Sequence, residues 1–186
     1  MDATSLAAIL RSSLADVPLE AAASSDQPTL YVPAAWLARA GLALRDTPAL
    51  RFAFLADLTA VDWWPREPRF EVVYHLVSIE HRVRLRLKVR VPGDRPEVPT
   101  VQAVWPAANW LEREVWDLFG IVFGGHNDLR RLLMPDDWEG HPLRKDYPVQ
   151  IRLAPKVWEP LQVSEAEYRA TLEVDRRARE GEGPKD

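Results

Sequence analysis

From Arg82 to Val91 the chain alternates without a break, with Arg82, Arg84, Arg86, Lys88 and Arg90 on one parity and Val83, Leu85, Leu87, Val89 and Val91 on the other. Successive side chains of a strand point to opposite faces, so this segment can only separate its two sets cleanly as a β-strand. One face belongs to a core and the other carries five cations. The preceding β-rich segment, Arg69 to Glu80, meets this strand near His81, which makes an antiparallel hairpin the simplest pairing.

Helices should flank that sheet. Leu6, Ile9, Leu10 and Leu14 recur at helical spacing behind Thr4, which can cap them, and Asp16 and Pro18 stop the run. A short strand around Leu30 to Val32 leads to Pro33 and a second helix containing Trp36, Leu37 and Leu42. The apolar run from Phe52 to Trp64, with two embedded aspartates, holds a buried strand, and Pro65 and Pro68 force an extended turn after it. Pro92 to Pro99 reads as a charged turn and Thr100 to Val104 as a returning strand. The expected fold class is therefore α+β, with N-terminal helices packed on a mostly antiparallel sheet.

Beyond it, Ala107 to Phe119 has helix length and composition, and Gly120 is placed to end it. Ile121 to Pro148 is a dense mixture of Gly, His, Asp, Arg, Trp and Pro, expected as ordered loop and short turns. Residues 1–148 form the expected core domain and 149–186 an extended tail. In that tail, Val149 to Pro160 should be extended, Ser164 and Glu167 form a capping box that opens a short charged helix, and the final EGEGPKD should be disordered.

Composition narrows the function classes. There is no cysteine, so disulfides, thiolate nucleophiles and cysteine-ligated clusters are excluded. The net charge of −4 creates no field toward nucleic acid or anionic lipid, and no run approaches the ~18 apolar residues of a membrane span. With an acidic N-terminus and too short an apolar run for a leader, the chain is expected in the cytoplasm. No GxGxxG follows a strand, and neither a P-loop nor a GxSxG elbow is present. The five-cation strand is the only patch that could suit a nucleic acid, and it lacks interleaved aromatics.

The most informative segment is the helix ANWLEREVWDLFG. At ~100° per residue Glu114 falls between Trp110 and Leu118, and Glu112 between Phe119 and Trp116. A carboxylate set among large apolar groups must pair with a cation or stay protonated. Arg113, Arg130, Arg131, Arg144 and Lys145 are the nearest candidates, and Arg113 and Asp117 form an i,i+4 pair. Proton chemistry by Glu112, Glu114 and Asp117 is one reading; pairing that fixes geometry, inside the chain or across an interface, is favoured. His126 and His141 with Asp128, Asp136, Asp137 and Glu139 contain metal-ligand types at a spacing that fits no metal motif, so hydrogen bonds in tight turns, eased by Gly125 and Gly140, are expected instead.

The thirty-seven residues from Glu112 to Pro148, EREVWDLFGIVFGGHNDLRRLLMPDDWEGHPLRKDYP, closely resemble the signature of the 30 kDa subunit family of bacterial NADH-quinone oxidoreductase, respiratory complex I, whose members are named C in that assembly. The resemblance is carried by Glu112, Arg113, Glu114, Asp117, Gly120, His126, Leu129 to Arg131, and Gly140 to Pro148, including His141, Arg144, Lys145 and Asp146. DLTAVDWW from Asp57 to Trp64 fits the same layout, and Asn127 departs from it where proline is usual. The resemblance implies a subunit of the peripheral arm at the cytoplasmic face of a bacterial membrane, without catalytic or metal-binding residues or a cofactor of its own. FMN, iron–sulfur clusters and quinone would belong to its partners. It further implies packing against the quinone-site subunit, named D, with the signature residues at or behind that interface and the tail running over neighbouring subunits. The homologous subunit of a membrane-bound nickel–iron hydrogenase shares the pattern. A stand-alone metal enzyme and a nucleic-acid-binding module are readings of a different class.

Overall fold

The computed structural model describes residues 2–14, 17–24, 26–148 and 164–179. They fall into two units, one within residues 1–149 and the other beyond, represented by the helix at 165–179. The expected disordered end and the expected extended stretch from Val149 lie outside the described residues, apart from the start of the capping box.

In the first unit α1 spans Ala3–Ser13, β1 Glu20–Ala22, β2 Thr29–Tyr31, and α2 Leu37–Asp46 after a 3₁₀ turn at Ala34–Trp36. β3 (Phe54–Asp62), β4 (Phe70–Ser78) and β5 (Val83–Val91) follow. Next come β6 (Glu97–Pro99), α3 (Ala108–Phe119) and β7 (Val122–Gly124). The main sheet has the order β1-β2-β5-β4-β3 and is antiparallel except between β2 and β5. This is the α+β arrangement the sequence predicts.

The alternation of β5 sets the layers. Leu85, Leu87, Val89 and Val91 are fully buried, together with Tyr74, Leu76 and Val72 of β4 and Leu58 of β3. Leu6 and Leu10 of α1, Leu37 and Leu44 of α2, and Val115 of α3 cover the same face. Each such leucine contributes roughly 1.5–3 kcal/mol of burial. Trp105 closes one corner of this core, and its indole N–H donates to the carbonyl of Phe52 at 2.9 Å.

Three expectations need correction. α1 is capped by Asp2 rather than Thr4: its carboxylate accepts the N–H of Ser5 at 2.8 Å, which starts the helix earlier. Thr100 to Val104 is not a strand. Its groups turn toward the Glu112 carboxylate, which takes the N–H of Val101 and the hydroxyl of Thr100. The strand lies just upstream, as β6 paired in parallel with β7, in the segment expected to be turn.

In the second unit α4 (Glu165–Arg179) opens with the predicted capping box. The Glu167 carboxylate accepts the N–H of Ser164 at 2.8 Å, and the Ser164 hydroxyl accepts the N–H of Glu167 at 3.3 Å.

Candidate functional site: a charged clamp around one helix

α3 packs on the inner face of β3 and ends where Gly120 adopts a left-handed φ of 72°. A side chain there would be strained, and its Cβ would strike His141 and Arg144. The helix thus stops at a point that segment 128–146 can reach.

Asp117, on the last turn of α3, is fully buried and organises that segment. One carboxylate oxygen accepts from Arg131 at 2.7 Å; the other accepts three consecutive backbone N–H groups, from Leu132, Leu133 and Met134, at 3.0, 2.8 and 2.9 Å. Burial pushes its pKa up, but these donors outweigh burial and hold it at about 2. Arg131 also donates to the carbonyls of Trp138 and Gly140, folding the segment back on itself. Arg144 donates to the carbonyls of Phe119 and Gly120, placing a cation at the C-terminus of α3.

A second clasp lies at the end of β3. Arg69 bridges buried Asp62, at 2.8 and 3.0 Å, and Asp146, at 2.6 and 3.0 Å. The N–H of Lys145 donates to Asp62 at 2.8 Å. Asp62 too is held at about 2, because Arg69 and the N–H groups of Lys145 and Trp64 outweigh its burial. Planar guanidinium forks between carboxylates are the geometry in which such pairs hold best.

In the first half of α3 the environment differs. Glu112 is also fully buried, yet among the described residues it meets no lysine or arginine: it accepts from the Thr100 hydroxyl at 2.5 Å and from Val101 N–H at 2.7 Å, and the buried His126 Nε2 lies 3.9 Å from the carboxylate. Burial raises its pKa to about 7, and the two hydrogen bonds oppose this only in part. The buried Tyr74 hydroxyl has no partner among the described residues, and burial with the nearby Glu112 charge pushes its pKa well up. In place of the expected cation partner, Glu112 thus takes the other course open to a buried carboxylate, a pKa raised toward neutrality.

The remaining signature residues sort by exposure. Arg113 is buried and turns away from Asp117 to the carbonyls of Arg130 and Arg131 at 3.2 and 3.1 Å, so the i,i+4 pair does not form. Glu114 is half-buried with no partner among the described residues, beside Trp110, which is 57% exposed. Arg130 is exposed and pairs with Asp128 at 3.0 Å. His126 accepts the N–H of Asp128 on Nδ1, so its Nε2–H donates to the carbonyl of Asn109; His141 donates through Nδ1 to the carbonyl of Asp117. Gly125 and Gly140 both have positive φ, as the turn reading of these histidines requires. Among the described residues no group of three or more His, Asp or Glu is placed to hold a metal ion. Asn127 sits exposed in the bend after His126.

Asp62, Arg69 and Thr100 belong to this site and were missed as candidates. For Asp62 the signal was present: an aspartate inside an apolar strand needs a partner. Of the five alternating cations, Arg82 lies before β5, in the turn with a φ of 55°, so the strand carries four, and three of these are paired. Arg86 pairs with Asp26, Lys88 with Glu71 and Arg90 with Glu20, at 2.6, 2.9 and 2.8 Å.

Fold and clamp together define a class: a small α+β module whose charged residues fasten one loop-rich segment to a helix. The chain belongs to the family of the 30 kDa subunit of respiratory-chain NADH dehydrogenase, whose model matches residues 30–152. It is 51% identical over 140 residues to the NADH-quinone oxidoreductase subunit named C in Roseiflexus sp. strain RS-1, covering 75% of this chain and 80% of that protein. With the protein of the same name in Roseiflexus castenholzii it shares 59% identity over 106 residues, 57% of this chain and 61% of the other. Among solved structures, a trypsin-resistant fragment of Nqo5 is similar at a TM-score of 0.54 and 35% identity, over 69% of this chain and all of the fragment. A chain of the membrane-bound sulfane sulfur reductase, an archaeal respiratory membrane complex, is similar at a TM-score of 0.67 and 28% identity, over 78% of this chain and 85% of that one. Among the described residues no helix is long and apolar enough to cross a membrane.

Proposed function

We propose that the chain is a cofactor-free scaffold subunit of an NADH:quinone oxidoreductase, bound peripherally at the cytoplasmic face of the membrane through its partners and packed chiefly against the quinone-site subunit. NADH oxidation, with FMN and iron–sulfur clusters, and quinone reduction take place in those partners. The observation that supports this reading is how the signature charges are spent. Asp117, Arg131, Arg144, Arg113, Asp62 and Arg69 all bind groups of the same chain. What they present outward around α3 is Trp110, Leu133 and Leu143, all about half exposed, with Glu114, which has no partner among the described residues, and exposed Arg130. Aromatic and arginine groups rimmed by polar ones are the composition of an interface core.

A tagged chain purified from gently solubilised membranes of its host should bring down the nucleotide- and cluster-bearing subunits and the quinone-site subunit, with quinone-dependent NADH oxidation. Recovery of the chain alone would sink the proposal. Glu114→Ala should lower the amount of assembled complex more than turnover per assembled complex; normal assembly with lost quinone reduction would argue for direct chemistry at Glu114. The likeness to a chain of an archaeal sulfane sulfur reductase supports a second reading, a subunit of a related respiratory membrane complex. That reading, or the nickel–iron hydrogenase branch, predicts a co-purified assembly without NADH oxidation.

A further inference from the structure

The face of the sheet opposite the core is uneven in charge. Toward the β5 C-terminus each cation has a carboxylate, Lys88 with Glu71 and Arg90 with Glu20, and the Tyr31 ring lies 3.8 Å from the Arg90 guanidinium. Arg86, in mid-strand, has Asp26. Toward the β4–β5 turn the matching stops. Arg82 and Arg84 are exposed and have no ion-pair partner among the described residues, and Glu80 faces Arg51 at 3.7 Å. At this same end Phe54 is 51% and Ile79 73% exposed. Phe54, Ala56, Val77 and Ile79, with His75 and Arg84, line an open groove of about 450 Å³. Burial and the neighbouring Arg86 charge hold His75 below its usual range against the opposing charges of Asp57 and Asp26, so Arg84 is the exposed cation of the groove's lining, with no ion-pair partner among the described residues.

The unmatched charge and the apolar floor ask for the same ligand. We propose that this groove docks an acidic segment of a partner protein, one carboxylate pairing with Arg84 while flanking apolar side chains cover Phe54 and Ile79. The segment lies across the sheet face and does not extend the sheet. On β3 the N–H of Leu58 is already taken by the Asp57 carboxylate at 2.9 Å, which leaves the edge of that strand less open to pairing. Docking strips water from the Arg84 pair, which makes it more selective than the more solvated Arg86–Asp26 and Arg90–Glu20 pairs. The proposal rests on the reading of the chain as a subunit of an assembly, and it adds a contact surface separate from α3 together with the chemistry of what it binds.

The test uses the chain in its host, with a photo-reactive benzoylphenylalanine replacing Ile79 in one strain and Leu133, beside α3, in another. After irradiation and purification, the Ile79 probe should cross-link to one partner polypeptide at a peptide holding Asp or Glu next to apolar residues. Arg84→Glu in the Ile79-labelled chain should cut that yield by about tenfold or more, and Arg84→Lys should keep most of it. The Leu133 probe should be insensitive to Arg84→Glu, which shows that the variant still folds and assembles. Cross-linking at Leu133 with none at Ile79 overturns the groove and leaves the subunit reading standing. A cross-link from Ile79 to lipid, to a second copy of this chain or to a basic segment overturns it too, as does a yield indifferent to Arg84→Glu. Silence at both positions overturns the subunit reading and the groove with it.

Discussion

The two halves of α3 bury a carboxylate each and treat it in opposite ways. Asp117 sits in a ring of four donors, one of them cationic, and stays ionised to a pKa of about 2. Glu112, five residues earlier, has a hydroxyl and one N–H, and its pKa rises to about 7. Both side chains have no exposed surface, so burial alone does not separate them. The difference lies in what the chain brings to each. A run of backbone with its N–H groups pointing inward makes an anion site, whereas a turn offering one N–H does not balance the loss of water.

Removing Asp117 should test this contrast hardest. Asp117→Ala strands the Arg131 charge and three partly buried N–H groups, and should cost about 3 kcal/mol in urea unfolding of the purified chain. A loss under about 1 kcal/mol would mean that segment 128–146 is held by something else. An effect of similar size falls at Glu112, and its sign follows from the raised pKa. The folded state holds the proton up to pH about 7 and the unfolded chain only to its ordinary 4.5. The stabilisation is therefore complete below the unfolded value and is lost as pH rises through 7, on the order of 3 kcal/mol in all. In Glu112→Gln the amide oxygen still accepts Val101 N–H and the amide nitrogen faces the Thr100 oxygen, which then accepts instead of donating, so the charge is removed with both contacts still possible. The variant's stability gain over the parent should be near zero at pH 4.5 and grow to that amount at pH 8; an equal difference at both would refute the assignment. Taking this difference between variant and parent also removes the opposite trend of His141, which burial holds neutral. The smallest effect belongs to the exposed Arg130–Asp128 pair: Arg130→Ala should change the stability of the isolated chain by less than about 1 kcal/mol. A larger loss there would blur the line between the inward clamp and the outward surface.

Much of this contrast could be read from residue order, and its limits are physical. Alternation in β5, the hairpin with β4, α3 and the Gly120 stop all follow from local periodicity and backbone preference, and they appear where expected. All four three-residue strands are too short to show a period, and of these only β2 was legible, from the apolar Leu30 to Val32 run before Pro33. That Glu112 and Asp117 need partners was legible from the apolar residues around them; which partners they find was not. Asp117 meets Arg131 fourteen positions on, while Glu112 meets Thr100 twelve positions back. Sequence proximity ranked cations first and could not show that a hydroxyl and an amide would fold under the helix instead. Arg69 and Asp146, seventy-seven positions apart, are further beyond its reach.

That long separation orders events in time. A chain made from its N-terminus has Asp62 and Arg69 in hand as β3 and β4 form, and Val91 completes the main sheet. At that moment Arg69 has only one of its two carboxylates, and Asp117, once made, has none of its four donors until residues 131–134 follow. Non-local contacts close last, after the loop entropy of the intervening chain has been met. The outward surface around α3 is therefore finished only when synthesis has passed Asp146. A chain cut short of that point holds every residue of the main sheet but lacks part of the clamp that fixes the surface around α3.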